Sequence, residues 1–160
     1  MKQTCEFRFA TENDTALILT FIKALAEYEK MLGEVEATEE TLREWIFEKH
    51  TAQVFFAVLE GKEIGYALYF YNFSTFTGRG GLYLEDLFLL PEYRGMGFGK
   101  QIFKKLAQLA LEQGCRRMDW SVLNWNAPSI AFYRSLGAVP MEDWTAYRLT
   151  GEALRDLAQR

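Results

Sequence analysis

The chain has 160 residues, of which 49% are hydrophobic and 16% aromatic, and a formal net charge of -4. This size and composition suit one packed domain over residues 1–160 and exclude a disordered chain. No long basic run suits nucleic acid, no apolar run is long enough for a bilayer, and no signal peptide is visible; the expectation is a cytoplasmic protein with neither partner.

Along the chain, Glu6-Phe7-Arg8-Phe9 alternates as a short strand. Thr11-Glu12-Asn13-Asp14 resembles a capping box with Asp in the usual Glu position. It opens a helix with Leu17, Ile18, Phe21, Leu25 and Tyr28 on one face, broken at Gly33. Thr38-Glu39-Glu40 starts a second helix, with Leu42, Trp45 and Ile46 as its apolar face. Residues 53–59 and 63–71 read as strands flanking a Glu60-Gly61-Lys62 turn. A loop over 72–81 leads to a strand over 82–90 that carries Glu85 and Asp86 in its middle. A helix with Ile102, Phe103, Leu106, Leu109, Ala110 and Leu111 ends at Gly114. A strand over 117–123, a helix from Pro128 to Gly137, a strand region over 138–149 and a terminal helix over 152–158 complete the chain. The mixture reads as α/β or α+β. Cys5, Cys115 and His50 form neither a disulfide framework nor a metal site.

Between the 82–90 strand and the long helix stands Glu92-Tyr93-Arg94-Gly95-Met96-Gly97-Phe98-Gly99-Lys100. A helix start carries unpaired N–H groups and a positive dipole end, and glycines let a ligand touch that backbone. The stretch reads as a pyrophosphate cradle or as only a tight strand-to-helix turn. It is not a Walker loop, since no Gly-Lys-Ser/Thr ending follows, and its distance from the strand suits a Rossmann turn poorly.

Arg94-Gly95-Met96-Gly97-Phe98-Gly99 resembles the Arg/Gln-x-x-Gly-x-Gly/Ala motif of the GNAT N-acetyltransferases. Leu25-Ala26-Glu27-Tyr28-Glu29, Tyr83-Leu84-Glu85-Asp86-Leu87-Phe88 and Asn124-Trp125-Asn126-Ala127-Pro128-Ser129-Ile130-Ala131-Phe132-Tyr133 are similar to the diamine branch, the spermidine/spermine and thialysine acetyltransferases. The resemblance covers nearly the whole chain. It implies a twisted, mixed, mostly antiparallel sheet with helices on both faces and a parallel pair splayed apart to admit acetyl-CoA. Backbone groups of Arg94, Gly95, Met96, Gly97, Phe98, Gly99 and Lys100 would hold the pyrophosphate. The strand edge at Leu87, Phe88 and Leu89 would bond the pantetheine arm, with Asn126 and Ser129 nearby. Without the resemblance, Leu87, Phe88 and Leu89 are plain core strand.

The same resemblance implies transfer of acetyl to a primary amine by direct attack in a ternary complex. An amine of pKa about 10.4 is free in only about one molecule in 2,500 at pH 7, and removing its proton costs about 4.6 kcal/mol. By resemblance Glu85 takes that proton, through water, and Tyr133 protonates the departing thiolate. On the residues alone, Glu85 and Asp86 fall on opposite strand faces unless a bulge intervenes, and Tyr133 reads as an ordinary half-buried aromatic. Tyr28, Glu29, Glu85 and Asp86 match positions that bind the acceptor; on helix pattern alone Tyr28 packs on the core and Glu29 is solvated. Ser74 stands about where polyamine-acetylating members carry an acid. This favours a shorter or zwitterionic acceptor, and Arg79 reads as solvent-exposed rather than as a carboxylate partner. The partners expected are a small primary amine and, by resemblance, a second copy in a homodimer. The alternatives are an acetyltransferase of protein lysines or N-termini, and a CoA-binding module without catalysis.

Overall fold

A five-stranded sheet in the order β1-β2-β3-β4-β5 organises the first of two units in the computed structural model, which describes residues 3–160. This unit runs to Ser121, and the second comprises residues 122–160. The strands are β1 (Glu6–Phe9), β2 (Gln53–Leu59), β3 (Lys62–Ser74), β4 (Arg79–Leu89) and β5 (Met118–Trp120). The first four pair antiparallel, and β5 lies parallel to β4.

Between β1 and β2 come α1 (Thr15–Tyr28) and α2 (Glu39–Leu42), the latter running into a π-helical turn over Arg43–Glu48. The α1 entry is held as its sequence implies: the Thr11 N–H donates to Asp14 Oδ2 at 2.7 Å. Arg8 clamps the same carboxylate at 2.9 Å and reaches Glu63 on β3 at 2.9 Å. At the other end the chain leaves the helix at Lys30, three residues before Gly33. Lys30 takes a φ of 62°, and the Met31 N–H donates back to the Ala26 carbonyl at 2.8 Å. Left-handed backbone closes the last turn here without a glycine. In the α2 segment Leu42 and Ile46 are buried while Trp45 is exposed, with Lys49 Nζ 4.0 Å over its ring.

Strand alternation sends adjacent residues of β2 to opposite faces. Val54 and Phe56 meet Ile18 and Phe21 of α1, with Tyr66 and Phe88 completing the cluster. Phe55 instead contacts Phe7 and Phe9 on the other face, where α3 (Phe98–Glu112) lies. Gln101 of α3 accepts from the Cys5 N–H at 2.9 Å, and Phe103 packs edge-on against Trp120. Helices thus cover both faces of the sheet. Among the described residues no helix is long and apolar enough to cross a membrane.

The expected loop over 72–81 is mostly sheet. Ser74 pairs with Arg79, Phe73 with Gly80 and Asn72 with Gly81, leaving residues 75–78 as the turn. Gly81 serves close packing rather than looseness: a Cβ there would meet Asn72 Oδ1 at 2.7 Å. Gly78, at φ 65°, makes the turn. Leu111, expected on the apolar face of α3, is exposed. The strand expected over 117–123 is confined to β5. In the second unit α4 (Ala127–Ser135) and α5 (Gly151–Gln159) form, but no strand is assigned over 138–149. β-propensity makes a strand only where a partner edge supplies the ladder.

Candidate functional site

The register of β3 on β4 contains the feature that organises the site. Leu68 pairs with Asp86 but Tyr69 pairs with Leu84, so Glu85 is the extra residue of a β-bulge. The bulge resets the alternation. Leu84 lies beside Tyr69, which packs on Phe55 and the α3 face. Asp86 lies on the α1 face, where Tyr66 donates its hydroxyl to Asp86 Oδ2 at 2.5 Å. Glu85 is exposed and Asp86 half-buried.

The end of α1 brings a third carboxylate to this place. Burial raises Glu29 above the ordinary carboxylate range, and the charges of Asp86 and Glu85 add to the shift. Asp86 is also raised, by burial, against a lowering hydrogen bond from Tyr66. Ionised Glu29 is therefore penalised in the folded state. The penalty is full above its raised pKa and is relieved as pH falls through it. Glu29→Gln should raise Tm by about 1–3 °C at pH 7 and bring no gain near pH 4. Thermal melts at the two pH values check this; an unchanged or lower Tm at pH 7 would show that the carboxylates do not crowd.

Beyond the bulge, β4 loses its parallel neighbour. β5 pairs with Leu82, Tyr83 and Leu84, and with nothing further along β4. The Leu90 N–H donates to the Ile64 carbonyl at 2.9 Å, which sets the hydrogen-bond phase. Phe88 therefore turns its backbone polar groups toward β3, while those of Leu87 and Leu89 face the edge that β5 does not pair. Leu87 and Leu89 turn main-chain groups there, the Leu89 carbonyl already accepting from Arg94 Nε. Phe88 contributes a buried ring.

The glycine stretch follows directly. Gly95 and Gly97 have φ of 77° and 89°, values that L side chains rarely adopt. Gly97 is the N-cap of α3 and makes no side-chain cap bond, so the first N–H groups of a 15-residue helix face outward. A Cβ on either glycine would enter open space. Gly99 and Lys100 lie in the first turn; Met96 and Lys100 are exposed, and Phe98 is fully buried against Tyr93. Arg94 turns inward. Its Nε donates to the Leu89 carbonyl at 2.9 Å, and its guanidinium lies 5.1 Å from the ring centroids of both Tyr28 and Phe88. One arginine thereby ties the glycine stretch to the end of α1.

Within residues 122–160, Asn126 is buried and caps α4, its Oδ1 accepting from the Ser129 N–H at 3.4 Å. Pro128 occupies the first turn of that helix. Tyr133 is half-buried on it, with its ring 5.8 Å from Phe132.

A helix N-terminus with positive-φ glycines that follows a strand end unpaired by β5 suits a pyrophosphate carried on an extended arm. The profile of the acetyltransferase (GNAT) family matches residues 19–138. The chain belongs to this family. It is 41% identical to the thialysine N-epsilon-acetyltransferase of Sus scrofa, over 94% of this chain and 95% of that protein. With the protein of the same name from Caenorhabditis elegans it shares 36% identity, over 92% and 93% of the two chains. An integron cassette protein from V. cholerae superposes with a TM-score of 0.81 at 30% identity, covering 99% of both chains.

As a GNAT acetyltransferase the chain uses acetyl-CoA as acyl donor. The cradle residues and the Leu87 and Leu89 backbone fit that ligand. Ser74 is not gathered with them. It is buried at the far end of the β3–β4 hairpin, where its Oγ accepts from the Thr77 N–H at 3.3 Å. Six residues of strand, about 20 Å, separate its pairing partner Arg79 from Glu85. Arg79 itself donates to the Gly114 carbonyl at 3.2 Å. Tyr66 carries no functional signal in the sequence, since a tyrosine in an apolar strand reads as core.

Proposed function

We propose that this GNAT chain acetylates a primary amine of a small molecule, a diamine or a lysine-like amino acid such as thialysine. The observation that carries the reading is the bulge at Glu85, which gathers Glu85, Asp86 and Glu29 beside the open β4 edge. Three carboxylates suit a cationic acceptor. The relatives named as thialysine acetyltransferases, similar over nearly their whole length, point to the same class.

Acetyl-CoA supplies the thioester carbonyl and a thiolate leaving group. The backbone from Arg94 to Lys100 holds the pyrophosphate at the α3 start, and Leu87 and Leu89 bond the arm along the strand edge. Asn126 and Ser129 support the donor from the α4 start. Tyr28, Glu29 and Asp86 hold the acceptor as a cation. Glu85 accepts the ammonium proton through water, which frees the nitrogen lone pair. As the nitrogen attacks the thioester carbonyl, the new N–C bond forms and the C–S bond breaks. Tyr133 gives its phenolic proton to the sulfur, and the second proton of the acylated nitrogen passes to the resulting phenolate, which leaves a neutral amide and restores the tyrosine. We further propose that residues 1–160 constitute a single acetyltransferase domain that works as a homodimer.

Glu85 is exposed, which also leaves room for a lysine borne on a protein. Release of CoA from acetyl-CoA with spermidine, putrescine, ornithine, lysine, thialysine and a lysine peptide tests the two readings. Turnover on a free small amine supports the first. Turnover on the peptide alone replaces it with the second, and acetyl-CoA binding without turnover on any of them overturns both.

A further inference from the structure

We propose that Tyr66 is a positioning residue whose hydroxyl, bonded to Asp86 Oδ2, orients the Asp86 carboxylate beside Glu29 and Glu85 and so sets how tightly the acceptor amine is held. The inference rests on the proposed amine-acetylating function.

Tyr66 is fully buried on β3, opposite Phe88. Its ring stacks on Phe21, with centroids 5.2 Å apart and planes 16° from parallel. A phenylalanine would serve that stack as well; what the tyrosine adds is one O–H. Burying a hydroxyl costs free energy unless it finds a partner, and the partner here is Asp86 at 2.5 Å. The bulge makes the contact possible. It places Asp86 on the α1 face, diagonal to Tyr66 across the β3–β4 ladder. The stacked ring leaves the hydroxyl little freedom, so the carboxylate inherits its orientation.

Other charged groups surround Asp86. Glu29 comes from the end of α1 and Glu85 is its neighbour on β4, while the Arg94 guanidinium lies over the Tyr28 and Phe88 rings. Burial opposes ionisation of Asp86, and the bond from Tyr66 favours it. Burial and the surrounding carboxylates push the Tyr66 phenol well above its ordinary value, so it remains a donor throughout the working pH range. Without that donor, Asp86 would protonate more readily and a cationic acceptor would lose a counter-charge.

The test is Tyr66→Phe in the full chain, with three readings. First, the Asp86 carboxyl is titrated by carbon-detected NMR and should move up in the variant. Second, KM for the preferred amine should rise about tenfold, far more than kcat falls, and the acid limb of kcat/KM should move to higher pH. Third, the KM effect of Tyr66→Phe should vanish in an Asp86→Asn background. An unmoved Asp86 titration overturns the proposal. So does an equal KM rise with Asn at position 86, which would return Tyr66 to a packing role. If the wild-type chain acetylates no amine, the functional reading falls, and the titration alone then decides whether Tyr66 governs Asp86.

Discussion

Tyr133→Phe should lower kcat by about a hundredfold while leaving the dissociation constant for acetyl-CoA nearly unchanged. A thiol with a pKa of about 8.5 is a tolerable leaving group. Protonating it in the transition state therefore brings less than protonating an alkoxide would, and the effect belongs at the lower end of general-acid contributions. A hundredfold corresponds to about 2.7 kcal/mol of transition-state stabilisation. Phenylalanine keeps the ring and its contact with Phe132, so binding through the cradle and strand edge should persist. Steady-state kinetics on the preferred amine, with calorimetric titration of acetyl-CoA, separates the two quantities. Equal loss of turnover and donor affinity would return Tyr133 to a packing role.

Phe21→Ala should be the most damaging substitution for stability, costing about 3–5 kcal/mol. Phe21 is 3% exposed and touches three other rings: Tyr66, Phe56 and Phe88. Removing it opens a cavity on the α1 face that rigid aromatic neighbours cannot close. A domain of this length has only about 5–15 kcal/mol in total, so Tm should fall by about 10 °C or more. Circular-dichroism melts of Phe21→Ala beside Phe21→Leu check the estimate, with leucine expected to recover part of the loss. A loss below about 1 kcal/mol would mean that α1 does not anchor the sheet. The acceptor side should suffer too, because the Tyr66 ring that positions Asp86 rests on Phe21.

Much of this molecule is written in short-range pattern. The apolar run over 53–59 gives β2, Asp14 caps the approach to α1, and helical spacing from Ile102 to Ala110 gives α3. These features depend on neighbours within a few residues, which a sequence displays directly. The same holds for Gly95 and Gly97, whose backbone angles only glycine adopts readily, and for the motif order that marks the GNAT family.

Other features depend on groups far apart in the chain. Gly81 looks like a loop residue until β3 lies against it and close packing becomes its reason. Trp45 fits the apolar spacing of an α-helix, but a π-helical turn leaves it exposed. The bulge at Glu85 is a mismatch of register between two strands and exists in neither strand alone. That mismatch turns Asp86 to the α1 face, where Tyr66, twenty residues earlier, can reach it. Local sequence therefore determines the long helices and where the glycine-rich start of α3 stands. Strand pairing, a cooperative and long-range choice, decides which carboxylates meet beside it.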